Sequence, residues 1–255
     1  MESAIIAHPH CEDCFTGVKH SGDPVGHTVE IANIPTYVSE PPLSIVATHG
    51  GPKKVVLFFS DVYGPFYVNN QLLQDYFASQ GFSVVGLDYF LGDRLYEHTE
   101  EGFDRWAWGH AARAKALEIT PRWVEEVRKQ YGSDSKYCAV GYCFGAPFVM
   151  DLGATDDIVA GAFAHPGFLT EDHFKNLKRP LLMSCAESDF TFPTEFRRLA
   201  EDILVEKKAQ YQIQVFSGVK HGFAVRGDLE NSDGRWAKEE SARGIIGWFA
   251  RFSSC

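Results

Sequence analysis

The stretch Val140-Gly141-Tyr142-Cys143-Phe144-Gly145-Ala146 decides which fold the sequence predicts. It follows the apolar run Lys136–Val140 and precedes a second apolar run, Ala146–Leu152. A strand, then G-x-C-x-G, then a helix is the nucleophile-elbow pattern with cysteine in place of the usual serine. The turn strains the backbone of the nucleophile, and a helix N-terminus beside its sulfur favours a thiolate or an oxyanion. The alternative is a cysteine that is simply buried in a glycine-flanked turn.

The composition is that of a globular protein with a large core. The 255 residues are 45% hydrophobic and 23% charged, which fits a single α/β domain over residues 1–255. A net charge of −10 argues against nucleic acid or an anionic membrane surface as the partner. The N-terminus lacks the features of a secretory signal, and no run approaches the roughly 18 apolar residues of a membrane span. We therefore expect a cytoplasmic protein with a small-molecule partner.

Six cysteines are present, at positions 11, 14, 138, 143, 185 and 255. In an intracellular chain of this length they favour free thiols over a disulfide scaffold. Cys11 and Cys14 have C-x-x-C spacing, but no second C-x-x-C and no histidine pair follows at zinc-site distance. We expect these two to be structural or surface cysteines, with metal or redox use as the alternative. The sequence thus predicts no metal and no cofactor.

Apolar strands alternate with amphipathic helices along the chain. Strands are predicted at 55–59, 82–87, 136–140, 158–164, 181–185 and 211–216. Helices are predicted at 69–79, 122–131, 146–152, 194–208 and 236–252. Two short alternating runs, 28–31 and 36–38, are typical of antiparallel edge strands. This order predicts an α/β fold with a doubly wound, mostly parallel sheet flanked by helices.

The segment 91–119 interrupts this alternation. It is irregular and rich in large side chains, namely Tyr96, Phe103, Trp106 and Trp108. It is either an insertion that covers a pocket or a set of aromatic residues that fill the core. Pro121 follows it and predicts the first turn of a new helix.

Three chemically active residues follow strand ends in a meaningful order. Cys143, Asp189 and His221 come after the predicted strands at 136–140, 181–185 and 211–216, and functional residues gather at the carboxyl ends of parallel strands. Nucleophile, acid and histidine is the chain order of α/β-hydrolases. A thiol needs a base, and the histidine needs a carboxylate to orient it. The alternatives are that Asp189 caps the following helix and that His221 is an ordinary loop histidine.

The oxyanion hole is expected from two backbone N–H groups. One belongs to Phe144, directly after the nucleophile, and the other to Val62, in the loop after the early strand.

Three motifs together resemble the dienelactone hydrolase family: Gly141-Tyr142-Cys143-Phe144-Gly145, Glu187-Ser188-Asp189 and Lys220-His221-Gly222-Phe223. The likeness runs from about residue 11 to the C-terminus. It is similar to the fungal branch through Asp88-Tyr89-Phe90, Ala164-His165-Pro166 and the run from His221 to Gly227. The resemblance implies the α/β-hydrolase fold, a Cys–Asp–His triad and the opening of cyclic enol esters, which are lactones.

The resemblance also assigns expectations to Asp61 and Arg226. Asp61 matches a glutamate that holds the resting thiol neutral in bacterial members, although it is one methylene shorter, and a turn or N-cap role is its alternative. Bacterial members bind a substrate carboxylate with two arginines. Here the first is either displaced along the segment 88–94 or absent, and Arg226 lies near the second position but shifted. Dienelactone itself is therefore not the expected substrate.

Seven residues are expected to form or support the substrate pocket: Asp61, Tyr63, Tyr89, Tyr142, His165, Phe223 and Arg226. For His165 the alternative is a structural hydrogen-bonding role. For Tyr142, as for Phe144 beside the nucleophile, it is simple packing.

The sequence as a whole predicts a cysteine hydrolase that opens a lactone or an activated ester through an acyl-enzyme. Cys143 attacks, His221 transfers the proton and Asp189 orients His221. The alternatives are a thioesterase, an acyltransferase or a cyclase of secondary metabolism on the same scaffold, and a non-catalytic ligand receptor. A receptor would have no need of three catalytic groups.

Overall fold

A computed structural model describes residues 3–46 and 51–254, so Cys255 lies outside the described residues. The described strands form one sheet in the order β1-β2-β4-β3-β5-β6-β7-β8. Pairing is antiparallel between β1 and β2 and between β2 and β4, and parallel elsewhere. The strands are β1 (His27–Ile31), β2 (Ile34–Ser39), β3 (Lys54–Phe59), β4 (Ser83–Leu87), β5 (Lys136–Tyr142), β6 (Ala160–Ala164), β7 (Leu181–Ser188) and β8 (Tyr211–Lys220). The predicted mostly parallel sheet is confirmed.

Helices flank the sheet on both faces. They are α1 (Leu43–Val46), α2 (Val68–Ser79), α3 (Arg105–Tyr131), α4 (Ala146–Gly153), α5 (Glu171–Asn176), α6 (Thr194–Glu206), α7 (Phe223–Arg226) and α8 (Ser232–Ser253). Short 3₁₀ helices lie at Glu12–Phe15, Leu95–Glu97 and Cys143–Gly145. No helix among the described residues is long and apolar enough to cross a membrane.

The central strand β3 shows why its sequence is continuously apolar. Successive side chains of a strand point to opposite faces. Leu57 and Phe59 pack with Trp123 of α3, whereas Phe58 packs with Phe77 of α2 on the other face. Both faces of the strand are buried by helices, so the sequence has no polar alternation.

The predicted helix start at Pro121 is wrong, because α3 continues through Pro121 from Arg105 to Tyr131. Asp104 caps the earlier start, its carboxylate accepting from the N–H groups of Trp106 and Ala107. A proline inside a helix costs about 3 kcal/mol. Buried side chains before and after it, such as Ile119 and Trp123, hold the helix on the sheet and outweigh this cost. Much of the segment 91–119 is therefore ordinary helix.

The sheet brings the ends of three strands together. Cys143 directly follows β5, Asp189 follows β7 and His221 follows β8. Both β7 and β8 extend beyond their predicted ends, at 185 and 216, so that each functional side chain comes immediately after its strand. One edge of the sheet thus presents all three residues, as the strand-end rule requires.

The N-terminal segment, residues 3–16, lies across this edge. The N–H groups of Ile6 and Ala7 donate to the carbonyl oxygen of Leu169 at 2.7 and 2.8 Å, and the His8 N–H donates to that of Thr191 at 2.7 Å. Leu169 follows β6 and Thr191 follows β7. The segment is therefore tied over the carboxyl ends of β6 and β7, at the same edge of the sheet as Cys143, Asp189 and His221.

Candidate active site

The elbow after β5 has the strained backbone that its sequence predicts. Cys143 has φ of 49°, in the left-handed region that side chains rarely adopt. A Cβ on Gly145 would lie well under 3.0 Å from the carbonyl oxygen of Phe59 in β3, and one on Gly141 would meet the Gly145 backbone. Glycine at both positions lets the turn pass close to its own helix and to the neighbouring strand. Cys143 is held there with 0% of its surface exposed.

Asp189 and His221 form a buried pair. The Nδ1 of His221 lies 3.0 Å from both carboxylate oxygens of Asp189. The N–H groups of Thr191 and Phe192 donate to Asp189 Oδ1 at 2.9 and 3.2 Å, so the carboxylate also closes its own turn. In the neutral ring Nδ1–H donates to the carboxylate, and the lone pair is then on Nε2.

Thr191 is a contact that the sequence did not predict. Its Oγ1 lies 2.9 Å from His221 Nδ1, and its single proton has two acceptors within reach, Asp189 Oδ1 at 2.7 Å and the carbonyl oxygen of Pro166 at 2.9 Å. The hydroxyl oxygen is a second acceptor for Nδ1–H and fixes the plane of the imidazole. Its signal is the Asp-x-Thr turn itself, in which a hydroxyl two residues after the acid folds back on it.

The two charges set each other's protonation. Burial raises the pKa of Asp189, but the charge and hydrogen bond of His221 outweigh it and lower that pKa to about 2. Burial lowers the pKa of His221, but Asp189 outweighs it, and the net pKa is raised well above 6.5. Asp189 is therefore ionised, and its charge favours the protonated, imidazolium form of His221.

Two thiols from the N-terminal segment stand beside His221, which corrects the sequence expectation for them. Cys14 Sγ lies 3.3 Å from His221 Nε2 and 3.6 Å from Cys143 Sγ. Cys11 Sγ lies 3.5 Å from Cys14 Sγ, and all of these side chains are buried. Neither cysteine is on the surface. Cys11, Cys14 and His221 bring three metal-ligand atoms within 4.8 Å of one another, a grouping that the sequence did not indicate.

Asp61 does not contact Cys143 through any hydrogen bond in the described structure. Its carboxylate is buried in an ion pair with Arg226. Its Oδ1 also accepts from the Asn70 side chain at 3.0 Å and from the Tyr63 N–H at 3.1 Å, which closes the turn after β3. The turn role that was its alternative is present, whereas control of the resting thiol by Asp61 has no contact to support it.

Arg226 is likewise engaged within the protein. Its guanidinium is 1% exposed and stacks 4.6 Å from the ring centre of Tyr63. Burial lowers its pKa to about 10, so it stays charged at neutral pH. It donates to three carbonyl oxygens of the N-terminal segment, at Asp13, Cys14 and Thr16. Arg226 therefore fastens this segment and presents no free fork to a substrate carboxylate.

Three of the expected pocket residues pack as core or brace the site. Tyr142 is buried, and its ring lies 5.3 Å from that of Phe58. Tyr89 is buried against Phe144 at 5.1 Å and donates its hydroxyl to the carbonyl oxygen of Ser60. Tyr63 donates to the carbonyl oxygen of Phe15 at 3.2 Å and so helps to hold the N-terminal segment.

His165 and Phe223 lie behind the imidazole of His221. The ring of His165 is 4.8 Å from that of His221 and 5.8 Å from that of Phe223. Neither nitrogen of the His165 ring has a hydrogen-bond partner among the described residues, so the structural hydrogen-bonding role that was its alternative is wrong. Burial lowers the pKa of His165 well below 6.5. A neutral ring therefore packs against His221.

The arrangement matches known hydrolases over its whole length. A profile of the dienelactone hydrolase family matches residues 42–253. The chain belongs to the dienelactone hydrolase family. It is 35% identical over 256 residues to dienlactone hydrolase 1 of Gibberella moniliformis, an alignment that covers 97% of this chain and 96% of that protein. It is also 35% identical over 246 residues to hydrolase pyvD of Aspergillus violaceofuscus, covering 96% and 97% of the two chains.

Solved structures support the fold of this dienelactone hydrolase family member. A protein from Klebsiella pneumoniae that carries the dienelactone hydrolase name superposes with a TM-score of 0.73 at 16% identity, covering 89% of this chain and 99% of that one. The fold is thus that of the α/β-hydrolases, and the relatives from Gibberella and Aspergillus agree with the resemblance to fungal members. The chain is a hydrolase that acts on small-molecule esters or lactones, not a ligand receptor without activity.

Proposed function

We propose that Cys143 is the nucleophile of this hydrolase, with His221 as its base and Asp189 as the group that orients His221. One observation carries the proposal. The buried Asp189–His221 pair points Nε2 of His221 at the sulfur of Cys14, 3.3 Å away, and that sulfur lies 3.6 Å from Cys143 Sγ at the same edge of the sheet. A base oriented by a carboxylate, next to a sulfur on a strained elbow, is what thiol catalysis requires.

The reaction proceeds in two halves. Cys143 gives its proton to Nε2 of His221, and its sulfur bonds to the carbonyl carbon of a lactone or activated ester. The carbon–oxygen bond of the ester breaks, and the leaving oxygen takes the proton from His221. Water, deprotonated by His221, then attacks the carbonyl carbon of the thioester; the carbon–sulfur bond breaks, and His221 returns the proton to the Cys143 sulfur. The N–H groups of Phe144 and Val62, whose role remains a prediction, would hold the oxyanion.

The leaving group narrows the substrate class. A thiolate adds readily to a carbonyl but is itself readily expelled, so the other departing group must be comparably good. An enolate or aryl oxide meets this condition better than an amine does. We therefore propose enol lactones, other activated lactones and aryl esters as the class.

Cys14 has to leave its position during the cycle. Its sulfur stands between Cys143 and His221, while Cys143 and His221 are 0% and 5% exposed. A substrate carbonyl needs the space beside the Cys143 sulfur. Entry of substrate thus requires displacement of the short helix Glu12–Phe15 that carries Cys14.

The test is a panel of lactones and aryl esters on the wild type and on Cys143→Ala. The variant should lose hydrolysis while its thermal unfolding midpoint stays near that of the wild type, and mass spectrometry of the wild type should find an acyl group on Cys143. Cys138→Ala, which removes a buried thiol from β5, serves as the matched control and should stay active. Unchanged turnover by Cys143→Ala would refute the proposal, and products formed with added thiol or alcohol acceptors would separate hydrolysis from acyl transfer.

A further inference from the structure

Cys11, Cys14 and His221 present three metal-ligand atoms in one buried place. Their Sγ and imidazole nitrogen atoms all lie within 4.8 Å of one another. Two of the separations are short, 3.5 Å between the two sulfurs and 3.3 Å between Cys14 Sγ and His221 Nε2. The ester-hydrolysis chemistry uses only His221 of these three. The two N-terminal thiols are thus unexplained by that chemistry.

We propose that this cluster is a binding site for a thiophilic d¹⁰ metal ion such as Zn²⁺, held by Cys11 Sγ, Cys14 Sγ and His221 Nε2. Zinc lies about 2.3 Å from a sulfur ligand and about 2.0 Å from a nitrogen ligand. At tetrahedral angles, two sulfur ligands are then about 3.8 Å apart, and a sulfur and a nitrogen ligand are about 3.5 Å apart. The two short separations lie within a few tenths of an ångström of these distances. Two thiolates and an imidazole are donors that Zn²⁺ prefers over Mg²⁺ or Ca²⁺.

The hydrogen bond of His221 to Asp189 is a second feature that fits a metal site. A zinc-bound histidine usually donates its other ring N–H to a carboxylate, which fixes the tautomer and makes the ligand more basic. Asp189 accepts from Nδ1 at 3.0 Å, so Nε2 is the free donor atom. Cys11 and Cys14 have the C-x-x-C spacing of zinc ligands; Cys14 lies in the short helix Glu12–Phe15, and Cys11 is the residue that caps its N-terminus.

The charge and proton balance is simple. Cys11 and Cys14 each release a proton to solvent, two zinc–sulfur bonds form, and nothing is oxidised or reduced. The pair of thiolates neutralises the dication, and the buried guanidinium of Arg226, which donates to the Cys14 carbonyl at 3.2 Å, lies beside them. Cys143 Sγ, 3.6 Å from Cys14 Sγ, is the nearest candidate for the fourth position, with water as the other.

Bound metal would switch the enzyme off, a consequence that rests on the proposed function. It would occupy the Nε2 lone pair that the base needs. It would also tie the N-terminal segment to His221 and keep the substrate from Cys143. Binding and hydrolysis are therefore mutually exclusive at this site.

Binding is measured first, without reference to activity. The full chain, reduced and freed of metal by a chelator, is dialysed against micromolar Zn²⁺, and bound zinc is counted. We expect one zinc per chain. Cys11→Ala and Cys14→Ala should each weaken binding by more than about 100-fold, and Asp189→Asn by about 10- to 100-fold, the range for loss of an outer partner. Cys185→Ala, which removes a buried thiol elsewhere in the sheet, is the control and should bind as the wild type does.

Spectroscopy of the wild type keeps the test valid even if a variant fails to fold. Co²⁺ in this site should show the strong visible bands of tetrahedral coordination together with thiolate-to-cobalt charge transfer. Less than one zinc per chain at saturation, an octahedral cobalt spectrum, or a Cys14→Ala protein that folds and binds zinc as tightly as the wild type would each overturn the proposal.

Inhibition is then compared with binding, with each folded variant normalised to its own metal-free rate. Zinc should inhibit the wild type and Cys185→Ala at the concentration at which it binds, and inhibit Cys11→Ala only at more than about 100-fold higher concentration. Zinc bound to an enzyme that hydrolyses no substrate of the panel would refute the proposed function but support the metal site. An active enzyme that binds no zinc would refute the metal site but support the proposed function.

Discussion

Replacing Gly145 with alanine tests whether the close passage at the elbow holds the nucleophile in place. The φ of Gly145 is −78°, which any residue adopts, so the change adds volume without backbone strain. The new Cβ would meet the carbonyl oxygen, carbonyl carbon and Cβ of Phe59, each at less than 3.0 Å. Phe59 is paired with Gly141 of β5 and so cannot turn its carbonyl aside without breaking that ladder. The elbow or the strand has to shift.

The size of the shift sets the expected effect. Restoring ordinary contact at 3.4 Å or more moves the backbone by about 1 Å, and overpacking of this kind costs about 1–3 kcal/mol. For a domain of this size 1 kcal/mol corresponds to about 2–4 °C, so we expect the unfolding midpoint of Gly145→Ala to fall by about 2–12 °C. A displacement of about 1 Å at the nucleophile should lower kcat/KM by about 100-fold.

Thermal unfolding followed by circular dichroism, and aryl-ester hydrolysis well below both midpoints, measure the two effects. Gly247→Ala is the matched control, because Gly247 lies exposed in α8 and a Cβ there meets no atom within 4 Å. We expect it to retain activity and to be up to about 1 kcal/mol more stable, as alanine is in helices. If Gly145→Ala kept the stability and rate of Gly247→Ala, the close-passage argument would be wrong.

Three further outcomes follow from the buried charges. Asp189→Asn removes the carboxylate that raises the pKa of His221. In the wild type we expect the acid limb of the pH profile of kcat/KM above pH 6.5, and in the variant this limb should move to lower pH. The plateau value of kcat/KM should fall by up to about 10⁴-fold. The lowered pKa of Asp189 stabilises the fold above its ordinary value of 3.8, and this stability is lost as pH falls towards about 2. In Asp189→Asn, burial lowers the pKa of His221 without the opposing carboxylate, so below pH 6.5 the unfolded state binds the extra proton; the urea midpoint should therefore fall more from pH 7 to pH 5 in the variant than in the wild type. Arg226→Met leaves the Asp61 carboxylate buried without its cation. The free energy of unfolding, measured by urea denaturation, should fall by about 3–5 kcal/mol. The double variant Arg226→Met with Asp61→Asn should recover part of this lost stability. A single variant no less stable than the double one would contradict this.

The sheet could be predicted because its strands are buried on both faces. Apolar runs such as 55–59 have no polar alternation, which is typical of a strand whose two faces are both covered by helices. The boundary at Pro121 could not be predicted, since proline is a strong local stop signal. What overrides it is the packing of Ile119 and Trp123 on the sheet, a tertiary effect that local propensity does not contain.

Part of the candidate site could likewise be predicted from the sequence, and part could not. The strand-end rule needs only chain order, and it predicted that Cys143, Asp189 and His221 would meet at one edge of the sheet. Cys14 reaches His221 across 207 residues of sequence, from a segment with no strand or long helix to place it. The C-x-x-C spacing of Cys11 and Cys14 was visible in the sequence. Nothing in the sequence indicated that His221 would lie beside these two cysteines.

We propose that control of the resting thiol lies in a different part of the chain from the one that the resemblance implied. Asp61 stands where bacterial members carry a glutamate that restrains the thiol, yet its charge is neutralised by Arg226. Arg226 in turn holds the carbonyl of Cys14, whose sulfur contacts both Cys143 and His221. The ion pair therefore acts on the nucleophile indirectly, by fastening the N-terminal segment over it. Breaking the pair should free that segment as well as destabilise the fold, so alkylation of Cys14 by iodoacetamide should become faster in Arg226→Met under conditions where the protein remains folded.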